Sequence, residues 1–141
     1  MQEIGLLNRE LARFISQQGH HDMLMVVDAG FAIPKGLDVV DLSLTINVPT
    51  VPEVLAVLKD YFSVEKLILA KETKVVNPSL YKVMINSFEK NLDVELIDHL
   101  ALKKKSKKVK LVIRTGDFTA YGNIILVSGA GGRWYLENEQ K

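Results

Sequence analysis

The chain has 141 residues, 48% hydrophobic and 25% charged, with a formal net charge of +1 and no cysteine. That is enough apolar material for one buried core and too much for disorder, while the balanced charge offers no field to steer nucleic acid or an anionic membrane. Lack of cysteine excludes disulfides, thiolate metal sites and a cysteine nucleophile.

No apolar run approaches the ~20 residues of a membrane span, and Met1-Gln2-Glu3-Ile4 is not a basic leader. A single domain over residues 1–141, cytoplasmic and away from membranes, is expected. Asn8 is placed to cap a helix whose buried stripe is Leu11, Phe14 and Ile15, with Gly19 as its left-handed exit residue. Met23 to Val27 is a continuous apolar run, short enough for a strand buried on both faces. A loop from Phe31 to Leu37 follows, punctuated by Pro34 and Gly36, and then a second strand, Val39 to Leu44. Thr50-Val51-Pro52-Glu53 is a capping box, opening a helix that runs to about Tyr61. Leu67 to Ala70 is the next buried strand, running into Lys71 and Glu72. Asn77-Pro78 opens another helix, with Leu80, Met84, Ile85 and Phe88 on its inner face. Three more strands are expected over Val94–Ile97, Val109–Ile113 and Asn123–Val127. This alternation predicts a three-layer α/β/α sandwich around a largely parallel sheet of six strands.

In such sheets ligands gather beyond the carboxyl ends of the strands, where Asp28, Glu72, His99 and the loop 114–122 all fall. His20, at the exit of the first helix, is a candidate acid–base group, since imidazole both gives and takes a proton near neutral pH. It is otherwise a surface histidine, and His21 has only adjacency in its favour. Asp22 either orients His20 or closes a turn. Asp28 either accepts bonds from a polyol or closes the turn before Gly30. Tyr121 and Asn123 can stack on and bridge sugar hydroxyls, or they flank a turn in which Gly122 supplies positive φ. Eight extended steps of ~3.3 Å separate His20 from Asp28 by about 26 Å. The two cannot meet in one chain without a sharp bend, which favours a site shared between subunits.

Other patterns point to less. His20, His21, Asp22 and His99 could ligate an ion, but no H-x-x-x-H or H-E-x-x-H spacing is present and no metal site is expected. Gly129-Ala130-Gly131-Gly132 lacks the Lys-Ser/Thr of a phosphate loop and reads as a flexible exit from the last strand. The lysines from Lys103 to Lys108 have no interleaved aromatics and read as a solvated face, with no nucleic-acid partner.

Taken together, Gly19-His20-His21-Asp22, Asp28-Ala29-Gly30, Ile33-Pro34 and the segment Arg114 to Leu126 resemble the D-ribose pyranase and fucose mutarotase family, from Leu7-Asn8 to about Gly129. The resemblance implies a cofactor-free isomerase that opens and recloses the ring of a free monosaccharide, assembled as a homodecamer of two pentamer rings. It places the proton donor on His20 and substrate contacts on Asp28, His99, Tyr121, Gly122 and Asn123. Gly30-Phe31-Ala32-Ile33-Pro34 is similar to the ribose branch, which points to D-ribose, whereas Gly122 is more like the fucose branch. The tail with Arg133-Trp134-Tyr135 is longer and more polar than the family's usual apolar end.

Overall fold

The computed structural model describes residues 1–139. Helix α1 (Arg9–Ser16) starts where Asn8 Oδ1 accepts the Leu11 N–H at 2.9 Å, and it buries Leu11 and Phe14. Its exit differs from expectation. The helix ends on Gln17 in right-handed conformation, and it is His21, not Gly19, that takes a positive φ, 69°. The reason is a turn closed from outside the helix. Asp22 Oδ2 accepts the Gly19 N–H at 2.8 Å, and the His21 N–H donates to Ser128 O at 2.8 Å.

Strand β1 (Met23–Val27) follows as predicted. Strand β2 (Val39–Asp41) stops earlier than expected, because Asp41 Oδ1 accepts the Ser43 N–H at 2.9 Å and turns the chain. Helix α2 (Val51–Tyr61) has the predicted Thr50 cap and gains a second one from Asp117, whose Oδ2 accepts the Val51 N–H at 2.8 Å. Strand β3 (Val64–Ala70) begins before the apolar run, and the short helix α3 (Lys71–Val76), which the pattern did not reveal, continues directly from it. Helix α4 (Pro78–Ile85) ends before Phe88, which is buried nonetheless. Strand β4 (Asp93–Ile97) leads into α5 (His99–Lys105), capped by Asp98, and a 3₁₀ turn over Ser106–Lys108. Strands β5 (Leu111–Arg114) and β6 (Ile124–Ser128) complete the sheet, and a last 3₁₀ turn spans Glu137–Glu139.

The strands lie in the order β2-β5-β1-β6-β3-β4. Strand β6 runs antiparallel to both neighbours, β1 and β3, while the other pairings are parallel, so the largely parallel prediction holds. Alternation along the strands sends Leu24, Val26, Leu67 and Leu69 to one face, under α1, α2 and α4. Met25, Val27, Ile68 and Ile125 face the other way, under Leu102 of α5 and Phe31, Ile33 and Leu37 of the following loop. Both faces are thus covered, as continuous apolar strands require. Among the described residues no helix is long and apolar enough to cross a membrane.

The carboxyl ends of the five parallel strands and the amino end of β6 share one edge of the sheet. The amino end of β1 and the carboxyl end of β6 lie at the other.

Candidate active site

At the first edge a cavity of about 600 Å³ is lined by Asp28, His99, Arg114, Tyr121 and Asn123 among others. Asp28 leaves β1 into a buried position and is held from several sides. Its backbone N–H donates to Asn123 Oδ1 at 2.9 Å, Asn123 Nδ2 donates to its Oδ2 at 3.2 Å, and the Gly30 N–H donates to its Oδ1 at 3.0 Å. Burial pushes the Asp28 carboxyl above the usual carboxylate range, against the pull of the hydrogen bonds from Gly30, Asn123 and Gly122.

His99 opens α5, where its N–H donates to Glu72 Oε2 at 2.9 Å. Its ring stands edge-on to Tyr121, with centroids 5.1 Å apart, and to Phe31 at 6.4 Å. His99 Nδ1 is buried and, among the described residues, has no hydrogen-bond partner. Tyr121 itself takes the left-handed conformation, φ 59°, that the turn reading would have given to Gly122. The strain is held by neighbours from α3 and from the residue joining it to α4: Thr73 Oγ1 donates to Tyr121 O at 2.7 Å, and Asn77 Nδ2 to Ala120 O at 2.7 Å. Gly122 sits behind, its N–H directed to Thr119 O at 3.2 Å. The helix missed in the sequence therefore has a purpose, which is to fix the loop that presents Tyr121 and Asn123.

Two charged cavity residues were not among the expected substrate contacts. Arg114 ends β5 with its guanidinium on Asp41 Oδ2 at 3.0 Å and Ala29 O at 3.0 Å. Lys103, read as part of a solvated face, reaches the cavity wall from α5. Arg114 heads the segment that carries the family resemblance and closes a strand; Lys103 had position alone, one helical turn beyond His99.

His20 is absent from this cavity. It lies at the opposite edge, exposed, where His20 Nε2 is 3.2 Å from Glu65 Oε2 and His21 Nδ1 is 2.7 Å from Glu65 Oε1. Partial burial pushes the Glu65 carboxyl up, but the hydrogen bonds from the two histidines outweigh it and hold it below its ordinary value. Asp22 does not orient His20. It serves the turn, with its Oδ2 also accepting Lys110 Nζ at 2.8 Å. Glu65 makes the carboxylate contact with His20 instead, 45 residues distant in sequence and so invisible to motif reading. A second cavity of about 380 Å³ opens beside His20, walled by Tyr61, Ser63 and Trp134. The structure thus gathers Asp28, His99, Tyr121 and Asn123, backed by Gly122, and leaves the acid–base candidate at the far side of the same chain.

The chain is similar to known proteins along most of its length. The D-ribose pyranase of Pseudothermotoga lettingae is 38% identical over 129 residues, 92% of each chain. The structure of Bacillus subtilis RbsD complexed with D-ribose superposes with a TM-score of 0.88 at 38% identity, covering 93% of this chain and 99% of that one. The fucose mutarotase of Streptococcus pneumoniae, in complex with L-fucose, has a TM-score of 0.72 at 15% identity over 89% of this chain and 94% of its own, a likeness of fold. Residues 1–131 match the RbsD / FucU transport protein family, and the chain belongs to that family.

Proposed function

We propose that this chain is a D-ribose pyranase, a cytoplasmic single-domain enzyme that interconverts the pyranose and furanose forms of free D-ribose at a site completed between subunits. The observation that carries this reading is the polar cavity around Asp28, His99, Tyr121 and Asn123 in a chain that matches, along almost its full length, a protein bound to D-ribose. Opening of the hemiacetal removes the proton of the anomeric hydroxyl, breaks the bond from C1 to the ring oxygen and delivers a proton to that oxygen. Attack of a different sugar hydroxyl on the C1 carbonyl then closes the other ring, with the same two transfers in reverse. His20, oriented by Glu65, donates and accepts the protons. Asp28 and Asn123 hold hydroxyls, while the edge-on pair of His99 and Tyr121 walls the apolar face of the sugar. General acid–base terms of ~10²–10⁴-fold suffice for a reaction that also proceeds unaided in water, and the chemistry calls for no cofactor and no metal step.

The half-site in each chain supports a homo-oligomer, and we take it as a decamer of two pentamer rings. Exposed Leu44, Ile46, Val48 and Phe118 cluster beside the cavity, where Phe118 N–H donates to Asn47 Oδ1 at 3.0 Å, and give a subunit contact apolar surface to bury. Saturation-transfer NMR on D-ribose tests the reading. Accelerated pyranose–furanose exchange that His20→Ala abolishes is expected. Exchange of L-fucose anomers in preference would favour a mutarotase, and ribose binding without any acceleration would favour a non-catalytic accessory.

A further inference from the structure

The edge that carries His20 holds one group the ring-opening scheme leaves unused. His21 stands with its ring centroid 4.0 Å from that of His20, and both close on Glu65. The side-chain ligand atoms of all three lie within 4.8 Å of one another. Two imidazole nitrogens and a carboxylate oxygen form a donor set that zinc takes with water in its fourth position. Bonds of ~2.0–2.2 Å place the ligand atoms of such a tetrahedral site about 3.3 Å apart; His20 Nε2 is already 3.2 Å from Glu65 Oε2, and His21 Nδ1 meets the other carboxylate oxygen at 2.7 Å.

Both histidines are largely exposed, 60% and 74% of their side chains, so an ion from solvent reaches them without opening the fold. The backbone fixes the pair, since the His21 N–H is tied to Ser128 O at 2.8 Å and Gly19 to the Asp22 carboxylate. Among the described residues no lysine or arginine is paired with the Glu65 carboxylate; Lys110, the cation on the neighbouring turn, is engaged by Asp22.

We propose that His20, His21 and Glu65 form a chelating site for a divalent cation of the zinc class, and that its occupancy switches off ring opening by taking the lone pair His20 uses to accept a proton. Chelation stands on the geometry alone, whereas the switch rests on the pyranase reading. The test uses tag-free, full-length protein titrated with zinc chloride by calorimetry, with D-ribose exchange followed by NMR before zinc, with zinc, and after chelation by EDTA. Wild type binds zinc and loses exchange reversibly. His21→Ala keeps its exchange without zinc but binds zinc at least about tenfold more weakly, since losing even an outer-shell partner costs that much. No binding by wild type, or equal binding by His21→Ala, overturns the site. Binding that leaves exchange untouched overturns the switch. Absence of exchange in zinc-free wild type would sink the pyranase reading instead, with calorimetry still deciding chelation.

Discussion

Asn123 grips Asp28 at both ends, its amide oxygen taking the Asp28 backbone N–H at 2.9 Å and its amide nitrogen donating to Oδ2 at 3.2 Å. One side chain thus satisfies a buried main-chain donor and steadies a buried carboxylate across the β1–β6 pair. Asn123→Leu, near in volume, leaves the donor unpaired and strips the carboxylate of one partner. We expect a stability loss of about 2 kcal/mol in urea denaturation and a fall of about 10²-fold in ribose exchange, as misplacement of a positioned group gives. Unchanged exchange would show that Asp28 keeps its place without the amide.

Gly116 passes under the 42–48 loop, donating to Pro49 O at 2.9 Å and accepting from Asn47 N at 2.7 Å. A Cβ there would run into the Thr45 carbonyl oxygen and lie 2.9 Å from that of Val48, both main-chain atoms. Gly116→Ala should therefore destabilise by about 1–3 kcal/mol, the ordinary range for overpacking. Thermal unfolding reads this directly, and a wild-type midpoint would mean that the loop moves freely.

Hybrids test the shared site. His20→Ala and Asp28→Ala are each expected to be inactive, and unfolding and reassembling them together should restore exchange. Random pairing leaves a fraction of sites with both residues native. Hybrids as inactive as their parents would confine the site to one chain.

The turn before β1 should titrate. Hydrogen bonds from Lys110 and from the Gly19 N–H hold the Asp22 carboxyl below its ordinary value. A lowered folded value means stability that is present above the unfolded carboxyl pKa of ~3.9 and lost as pH falls through the folded value. Asp22→Asn should cost about 1 kcal/mol at pH 7, toward the low side because Lys110 is largely exposed. The gap between the two melting curves should close below the ordinary carboxyl range. A gap that persists in strong acid would assign the loss to packing.

The amino-acid pattern alone determined the strands, the capped helices and the polar residues that end them, because periodicity and capping are local properties. It also favoured His20 and Asp28 standing apart, since the five strand residues Met23 to Val27, four of them buried, intervene. It did not reveal α3, whose Lys71-Glu72-Thr73-Lys74 start shows neither a side-chain cap nor an apolar stripe. Only the tertiary structure decided that β6 enters antiparallel between β1 and β3, bringing Asn123 to Asp28 across 95 residues. A continuous apolar strand reads alike in either direction, although the link 115–123 was a clue, being too short for a parallel crossover. The pairing of His20 with Glu65 likewise comes from β3 lying next to β6, whose end meets the His20 turn. Contacts of that range are set by which strands share the sheet, and no spacing within one segment encodes them.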